Sequence, residues 1–429
     1  MRKERFDCFL RVISPVHIGC EEVYEPMSFV MDEMAQKIIA FDPISFFKSL
    51  NQRDKQRFSE ICMKGTISSL LEMYKFLRGR KVQGRSIKVC KGLVEHYKKT
   101  LSIPIKNTKR IQQELNRFEI KRTSFLTNDE KPYIPGSSVK GALRTAYLNK
   151  ISKRKKIQIK GHKISAKKLE ELLLEGRFYT DPFRMVKVSD FRPLKGVKTK
   201  IVYAINQKKH KQSGTARGPY QILEVIEPGS VFYGSIEVCI PEKDADIKNP
   251  VKLDELLRNT DEFYKKQKKR EIKELKNVPL HSVKIPENGR AYLLRIGRHS
   301  GVESITIEDY RVSDATTVWL ASEFSKFLHG QILWPFGWVC LVQAEKELLE
   351  KEPENAIKED IEIWENATVI WDPGSQVITA HKEGRKAIAK GKDIVPEHLH
   401  KKLFTKKRMV KATVEVEVMG NLYKIIKIN

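Results

Sequence analysis

The sequence lacks any apolar run of about 18 residues, which removes a bilayer-crossing helix from the readings. It also lacks a charged-then-apolar leader: Met1-Arg2-Lys3-Glu4-Arg5 runs directly into a strand pattern, so no export signal is expected. Its six cysteines, Cys8, Cys20, Cys62, Cys90, Cys239 and Cys340, are scattered without one CxxC pair. That argues against a disulfide framework and a zinc ribbon, and it fits a reducing, cytoplasmic setting with the thiols mostly buried as small hydrophobes. There is no GxxxxGK[ST] loop, because Gly141 is followed by Ala142, and there is no clustered set of carboxylates. Nucleotide hydrolysis, a cofactor and a bound metal are therefore not expected. Fixed-period repeats and low-complexity tracts are absent as well.

What the sequence has is positive charge. The 429 residues carry 81 Lys and Arg against 54 Asp and Glu, a formal net charge of +27. An extended anionic partner follows from such a balance, and with the membrane reading weakened, nucleic acid is the leading class. The charge is also localised. Arg78 to Phe118 holds twelve basic residues against two Glu, Lys140 to Lys168 holds eleven with no acid at all, and Arg184 to Arg217 holds ten against Asp190 alone. Between Leu341 and Asp372 the sign reverses to ten acidic against three basic residues. That places a domain boundary near Glu345 to Pro353, between a region 1–345 and a small β-rich appendage 346–429.

Apolar spacing predicts a strand over Phe6 to Ser14, a hairpin from Tyr24 to Asp32 and Lys37 to Phe41, and a basic helical insertion at about 42–118. Ala166 to Leu174 reads as a short amphipathic helix, and Leu253 to Leu275 as a longer charged one. Asp181 to Phe191, Lys198 to Asn206, Ala291 onward and Pro335 to Val342 read as strands. The two β-rich runs about Pro228-Gly229-Ser230 read as a hairpin, and Val318 to Phe327 as a helix.

One stretch concentrates the chemistry: YIPGSSVKGALRTAY, Tyr133 to Tyr147. Pro135 ends a strand, Gly136 permits the positive φ of a sharp turn, and Ser137 or Ser138 can cap the helix that follows. Free N–H groups and the helix dipole attract an anion there, and Lys140 and Arg144 add positive charge one turn apart. Gly141, Ala142 and Ala146 let another backbone approach one helix face. An ordinary capped turn with solvated Lys and Arg and a phosphate-holding turn both fit these residues. The acid-free basic run that begins inside the motif favours the second.

SPVHIG (14–19), IPGSSVKGALRTA (134–146), DPFRMVKVSDF (181–191), EPGSVFYGSI (227–236) and LLRIGRHSGVES with PFGWV (293–304, 335–339) occur in one order. In that order the set resembles the RAMP superfamily of CRISPR-associated proteins, over about Phe6 to Val342, and it is most similar to the fifth Csm subunit family of type III-A effector complexes. The resemblance implies an α+β fold: a ferredoxin-like or RRM-like βαββαβ core with glycine-rich loops, helical insertions and the β-rich appendage. It implies an RNA-binding subunit that caps the end holding the 3′ part of the CRISPR RNA, in antiviral defence and CRISPR RNA maturation. Its partners would be that single-stranded RNA and other Csm subunits, above all the RAMP backbone subunit, with no membrane. Gly136, Ser137, Ser138, Lys140, Gly141 and Arg144 carry over as RNA or subunit contacts. The basic run adds Lys153, Arg154, Lys155 and Lys156, the third motif adds Arg184, and the last loop adds Gly297, Arg298 and Gly301. In that loop Arg298 and His299 stand where the family has small or aromatic residues.

Five further residues invite a chemical reading. His17, at the end of the first strand, lies where some RAMP ribonucleases place a general base, so a metal-independent endoribonuclease is the alternative to a non-catalytic subunit. Asp32 lies where a target-cleaving subunit carries an aspartate, in a context that matches poorly. His398 and His400 share one face of an expected strand with no companion ligands, which makes them a solvated pair. Tyr233, in FYGSIEV, is a hairpin residue first and a base-stacking candidate second.

Overall fold

Lys3–Val12 forms β1, with Phe6, Cys8, Leu10 and Val12 buried on one face and Arg5 and Arg11 exposed on the other, the period of two that a half-buried strand requires. The computed structural model describes residues 3–155, 157, 165–194, 196–209, 218–242, 245–283, 291–311, 313–344, 361–390, 394–406, 408–419 and 422–429. Two compact units divide the chain, Met1–Phe125 with Pro132–Lys346, and Leu126–Lys131 with Glu347–Asn429. The boundary expected at Glu345 to Pro353 falls outside the described residues.

After β1 the first unit runs through β2 (Gly19–Val23), β3 (Phe29–Asp32) and β4 (Lys37–Ala40) into helices α1 (Pro43–Ser49), α2 (Gln52–Met63) and α3 (Ile67–Leu77). β5 (Arg85–Val89), α4 (Lys91–Leu101), α5 (Thr108–Arg117) and β6 (Ile120–Thr123) follow, and then α6 (Gly136–Lys155) and α7 (Ala166–Leu174). Five strands come next: β7 (Val186–Val188), β8 (Arg192–Pro193), β9 (Thr199–Lys208), β10 (Gln221–Ile226) and β11 (Val231–Cys239). The unit closes with α8 (Leu253–Glu274), β12 (Ala291–Arg295), α9 (Val302–Ile305), β13 (Thr317–Ser322), β14 (Trp334–Pro335) and β15 (Trp338–Gln343).

Two sheets organise these elements. The first has the order β12-β15-β1-β11-β7 and is antiparallel throughout, with Phe9 opposite Tyr233 on one side of β1 and Leu10 opposite Leu341 on the other. α6 presents Val139, Ala142, Leu143 and Ala146, three to four residues apart, and α8 presents Leu253, Leu256, Leu257, Phe263 and Tyr264. With the buried face of β1 they form one apolar core. The second sheet has the order β2-β6-β10-β9-β5-β4-β3, with β13 on β9, and its core takes Leu71, Leu93, Tyr97 and Ile111 from α3, α4 and α5. Within it the buried Glu224 carboxylate accepts from Tyr24 Oη at 2.9 Å, Arg85 Nη1 at 3.0 Å and Thr199 Oγ1 at 2.8 Å, which ties β10 to β5 and β9.

Four expectations are corrected here. The runs about Pro228-Gly229-Ser230 are both strands but not a hairpin: β10 pairs with β9 and β6, whereas β11 pairs with β1. The turn passes from one sheet to the other because β1 already occupies its backbone groups, with Gly229 N–H donating to Val12 O and Val12 N–H to Ser230 O. Thr317–Ser322 is a strand rather than the start of a helix; it adds to β9, and its Val318 and Leu320 alternate into the second core. The basic insertion is not wholly helical, since Arg85–Val89 inserts between β4 and β9. His398 and His400 lie on a helical turn (Glu397–His400), where His400 Nε2 is 2.8 Å from Val395 O.

In the second unit β16 (Ile361–Asp372), β17 (Val377–Lys382), β18 (Arg385–Lys390), β19 (Val410–Met419) and β20 (Leu422–Ile428) close into a barrel in the order β16-β17-β18-β20-β19. Trp364, Val369, Ile378, Val414, Val416 and Ile425 fill its interior.

Candidate nucleic-acid interface

The opening of α6 is built differently from the sequence reading. The helix begins at Gly136 itself, so Ser137 and Ser138 are first-turn residues rather than caps. Its first N–H donates to Asp190 Oδ1 at 2.8 Å, so the anion at this N-terminus is a carboxylate of the same chain. Gly136 does not need positive φ. It needs the missing side chain, because a Cβ there would lie 2.4 Å from Val188 O and 2.7 Å from Ser189 O.

The two cations of the motif also turn inward. Lys140 Nζ donates to Val186 O at 2.8 Å, and burial, with the charge of Lys187, pulls its ammonium below the ordinary lysine range. Arg144 lies over the Phe183 ring at 5.1 Å and holds two carboxylates, Glu170 at 2.6 Å and Asp181 at 2.9 Å. Glu170 belongs to α7, and Asp181 caps the 3₁₀ turn Pro182–Met185. Arg144 is thus a strut that fastens both to α6. Ser137 and Gly141 stay exposed one turn apart, with open space above Gly141.

Further along α6, Lys153 pairs with Glu308 at 3.3 Å and Arg154 with Glu255 at 2.9 Å, while Lys155 holds Glu175 and the Leu173 carbonyl. Lys156 lies outside the described residues. The pairs of Lys153 and Arg154 are largely solvated and exchangeable at little cost.

The segment that Arg144 anchors ends in a feature the sequence reading missed. Arg177 and Thr180 exchange two hydrogen bonds, Thr180 N–H to Arg177 O and Arg177 N–H to Thr180 Oγ1, each 3.0 Å, which close a tight turn. At its tip Phe178 and Tyr179 are 71% and 79% exposed. The guanidinium of Arg184 stands 5.4 and 5.8 Å from their ring centres. Two solvent-facing rings beside an arginine make a stacking surface for unpaired bases. The signal in the sequence was RFY beside a basic run, without an apolar period to bury the rings.

The remaining motifs meet at the end of β1. Gly297 takes φ +81° with no room for a side chain, since a Cβ would lie 2.5 Å from His17 O. Arg298 N–H donates to that same carbonyl at 2.8 Å, Ser124 N–H donates to Ile18 O at 2.8 Å, and Tyr133 N–H to Ser124 O at 3.2 Å. Pro15 O accepts from Gly337 N–H, and Val16 pairs with Ile226. One hydrogen-bonded rim therefore joins SPVHIG, the glycine loop, PFGWV, the end of β10 and the residue that leads into α6. Arg298 stands exposed on it without a carboxylate partner among the described residues. Gly301 precedes α9, at φ +81°.

His17 is 1% exposed, and its Nδ1 lies 2.7 Å from Glu224 O. Burial lowers its pKa, with Arg298 adding to the effect against the Glu224 carbonyl, so the ring is a neutral wedge between the sheets. His299, packed on Trp319 at 4.8 Å, is held at about 3 by burial and the charge of Arg298. Asp32 caps its own turn, accepting from Ala35 N–H at 2.9 Å. Tyr233 stands on β11 rather than in a hairpin, and its hydroxyl donates to Asp7 Oδ1 at 3.3 Å. Among the described residues no group of three or more His, Cys, Asp or Glu is placed to hold a metal ion, and no helix is long and apolar enough to cross a membrane.

A two-layer arrangement of helices on curled sheets, with these loops gathered at the end of the first strand, defines an α+β protein of the RAMP type. The family model for the RAMP superfamily matches residues 9–301, and the chain belongs to that superfamily. Among solved structures the chain is similar to one in "Cryo-EM structure of Csm-crRNA-target RNA ternary complex in type III-A CRISPR-Cas system". The TM-score is 0.51 at 21% identity, over 78% of this chain and 100% of that one. It is also similar to Csm5 of T. onnurineus, with a TM-score of 0.45 at 18% identity, over 77% of this chain and 99% of that one. No curated protein matches the sequence.

Proposed function

We propose that this protein is a non-catalytic RNA-binding subunit of a type III-A CRISPR effector, acting in the cytoplasm at the end of the complex that holds the 3′ part of the CRISPR RNA. Membership of the RAMP superfamily supports the RNA-binding class, and likeness in fold to a chain of a Csm–crRNA–target RNA assembly supports the setting. The first sheet supplies the ferredoxin-like core: β1, α6, β7, β11, α8 and β15 follow βαββαβ, and their strands stand in the order β15-β1-β11-β7.

The observation that carries the reading is the rim at the end of β1, where an exposed Arg298, without a carboxylate partner among the described residues, stands on a glycine loop locked to His17. The Arg298 guanidinium holds phosphate, the exposed Ser137 and Gly141 face admits a neighbouring backbone, and Phe178 and Tyr179 stack bases under Arg184. Lys153 and Arg154 exchange their carboxylates for phosphates. Arg144 and Lys140 position rather than touch RNA. The burial of His17, 1% exposed, supports the absence of general-base chemistry, because a substrate has little access to the ring.

Binding of single-stranded RNA by the full chain, measured across salt concentration, tests this. Affinity falls steeply with salt, Arg298→Glu weakens it about tenfold, and Phe178→Ala with Tyr179→Ala weakens it by about 1–3 kcal/mol per stacked base without changing the salt slope. Salt-independent binding, or RNA cleavage in EDTA that His17→Ala abolishes, refutes the proposal.

A further inference from the structure

The barrel of the second unit lies outside the residues that match the RAMP model, which end at 301. Its wiring is specific. β16, β17 and β18 form an antiparallel meander, a helical turn follows, β19 returns to pair with β16, and β20 fills the gap between β19 and β18. Only β18 and β20 run parallel, with Ala387 opposite Tyr423. The order 1-2-3-5-4 closing on 1, a parallel 3–5 pair and a helix between strands 3 and 4 together make an OB-type Greek-key barrel. Two further details agree with it. β16 carries a register shift between Trp364 and Ala367, which lets the first strand bend across both halves of the barrel. The helical segment after β18 puts Leu399 and Leu403 into the barrel core.

In such barrels the outer face of strands 2 and 3 carries oligonucleotides. Here that face belongs to β17 and β18. Ile378, Ala380, Ala387 and Ala389 point inward and are buried. Thr379 stands opposite Ile388 and His381 opposite Lys386 on the outside. Ile388 is 42% exposed, and His381 and Lys386 are exposed beside it. Lys386 has no carboxylate partner among the described residues. Residues 361–429 hold thirteen Lys and Arg against eight Asp and Glu, so the barrel is basic although the tract before it is acidic. An outward face with Ile388, one imidazole and an unpartnered lysine suits unpaired bases lying against the strands and a backbone passing Lys386. A protein partner would be selected by a wider apolar face than one isoleucine. We propose that the β17–β18 face is a second single-stranded RNA site, independent of the rim and the aromatic tip.

The test uses the full chain, a 4-thiouridine-containing single-stranded RNA of about 30 nucleotides, and photo-crosslinking with peptide mapping. Crosslinks are expected in 377–390 as well as in 176–185. The double variant Lys386→Glu, His381→Ala should lose the first set and keep the second. Its affinity should fall about tenfold, and its salt slope by about 0.7, the contribution of one neutralised phosphate of a single strand. Both changes are on exposed outward positions of β17 and β18, and an unchanged thermal melt reports an intact fold. Crosslinks confined to the first unit with unchanged affinity overturn the proposal while leaving the first RNA site standing. Crosslinks confined to 377–390 overturn the reading of the first unit instead. A variant that binds RNA like the parent but fails to assemble with other subunits makes the strip a protein-docking surface, which also overturns it.

Discussion

Replacing Arg144 by Ala separates a strut from an RNA contact. Its guanidinium donates to Glu170 Oε2 at 2.6 and 2.8 Å and to Asp181 Oδ1 at 3.1 Å. Both acceptors are partly solvated, with side-chain exposures of 33% and 23%. Each contact therefore lies between a surface pair, near 0–1 kcal/mol, and a shielded charge-assisted bond, near 1.5–3 kcal/mol; about 1 kcal/mol for each carboxylate is the working value. Truncation costs about 2 kcal/mol in local stability, or roughly a 30-fold change in the opening equilibrium. The loss falls on the segment the arginine fastens. Hydrogen exchange at the amides of Phe183 and Arg184, which donate to Asp181, should accelerate about 30-fold, while helix α8 stays protected. The salt slope of RNA binding should not change, because the charge is already spent on two carboxylates. If exchange stays within threefold of the parent and the slope falls by about 0.7, Arg144 contacts a phosphate and the strut is wrong.

Two glycines of the same helix should behave oppositely. Gly136→Ala drives a methyl group onto two backbone oxygens and costs about 1–3 kcal/mol, only partly offset by helix propensity, whereas Gly141→Ala meets nothing and should stabilise by about 0.5–1 kcal/mol; paired thermal melts decide. His299 titrates at about 3 in the folded chain against an ordinary 6.5, so the unfolded chain binds the extra proton between those values. The stability contributed by its neutral form is complete above pH 6.5 and is lost as pH falls toward 3, at up to about 1.4 kcal/mol per pH unit. His299→Asn, which tolerates the φ of +65°, should flatten urea-midpoint profiles over that range; an unchanged profile would show that the ring is free to protonate in the fold.

Elements that carry their own period were readable from the sequence. β1 and β11 were found because they alternate, β9 and β15 because they are continuous apolar runs, and α7 and α8 because each repeats within its own residues. What failed was choice of partner. β10 and β11 have a hairpin's turn chemistry, yet β10 pairs with the preceding β9, and β11 pairs with β1, the first strand of the chain. β5 and β13 were missed because five or six residues between helices or loops carry too little pattern to outweigh their surroundings. Arg144 shows the same gap at the level of charge. Nothing local distinguishes an arginine that meets phosphate from one that meets Glu170 and Asp181, which lie 26 and 37 residues away.

The pairing of Leu10 with Leu341 has a consequence for how the protein is made. Roughly 330 residues separate the two strands, which at about 5–20 residues per second of synthesis is on the order of 20–70 seconds of translation. During that interval β1 can find β11 on one side, but its other edge, a row of free N–H and C=O groups above Leu10 and Val12, waits for β15. An open strand edge of this kind pairs with whatever strand is at hand. Expression yield should therefore respond to chaperone supply and to the speed of elongation through residues 240–343 more than to changes on the finished surface.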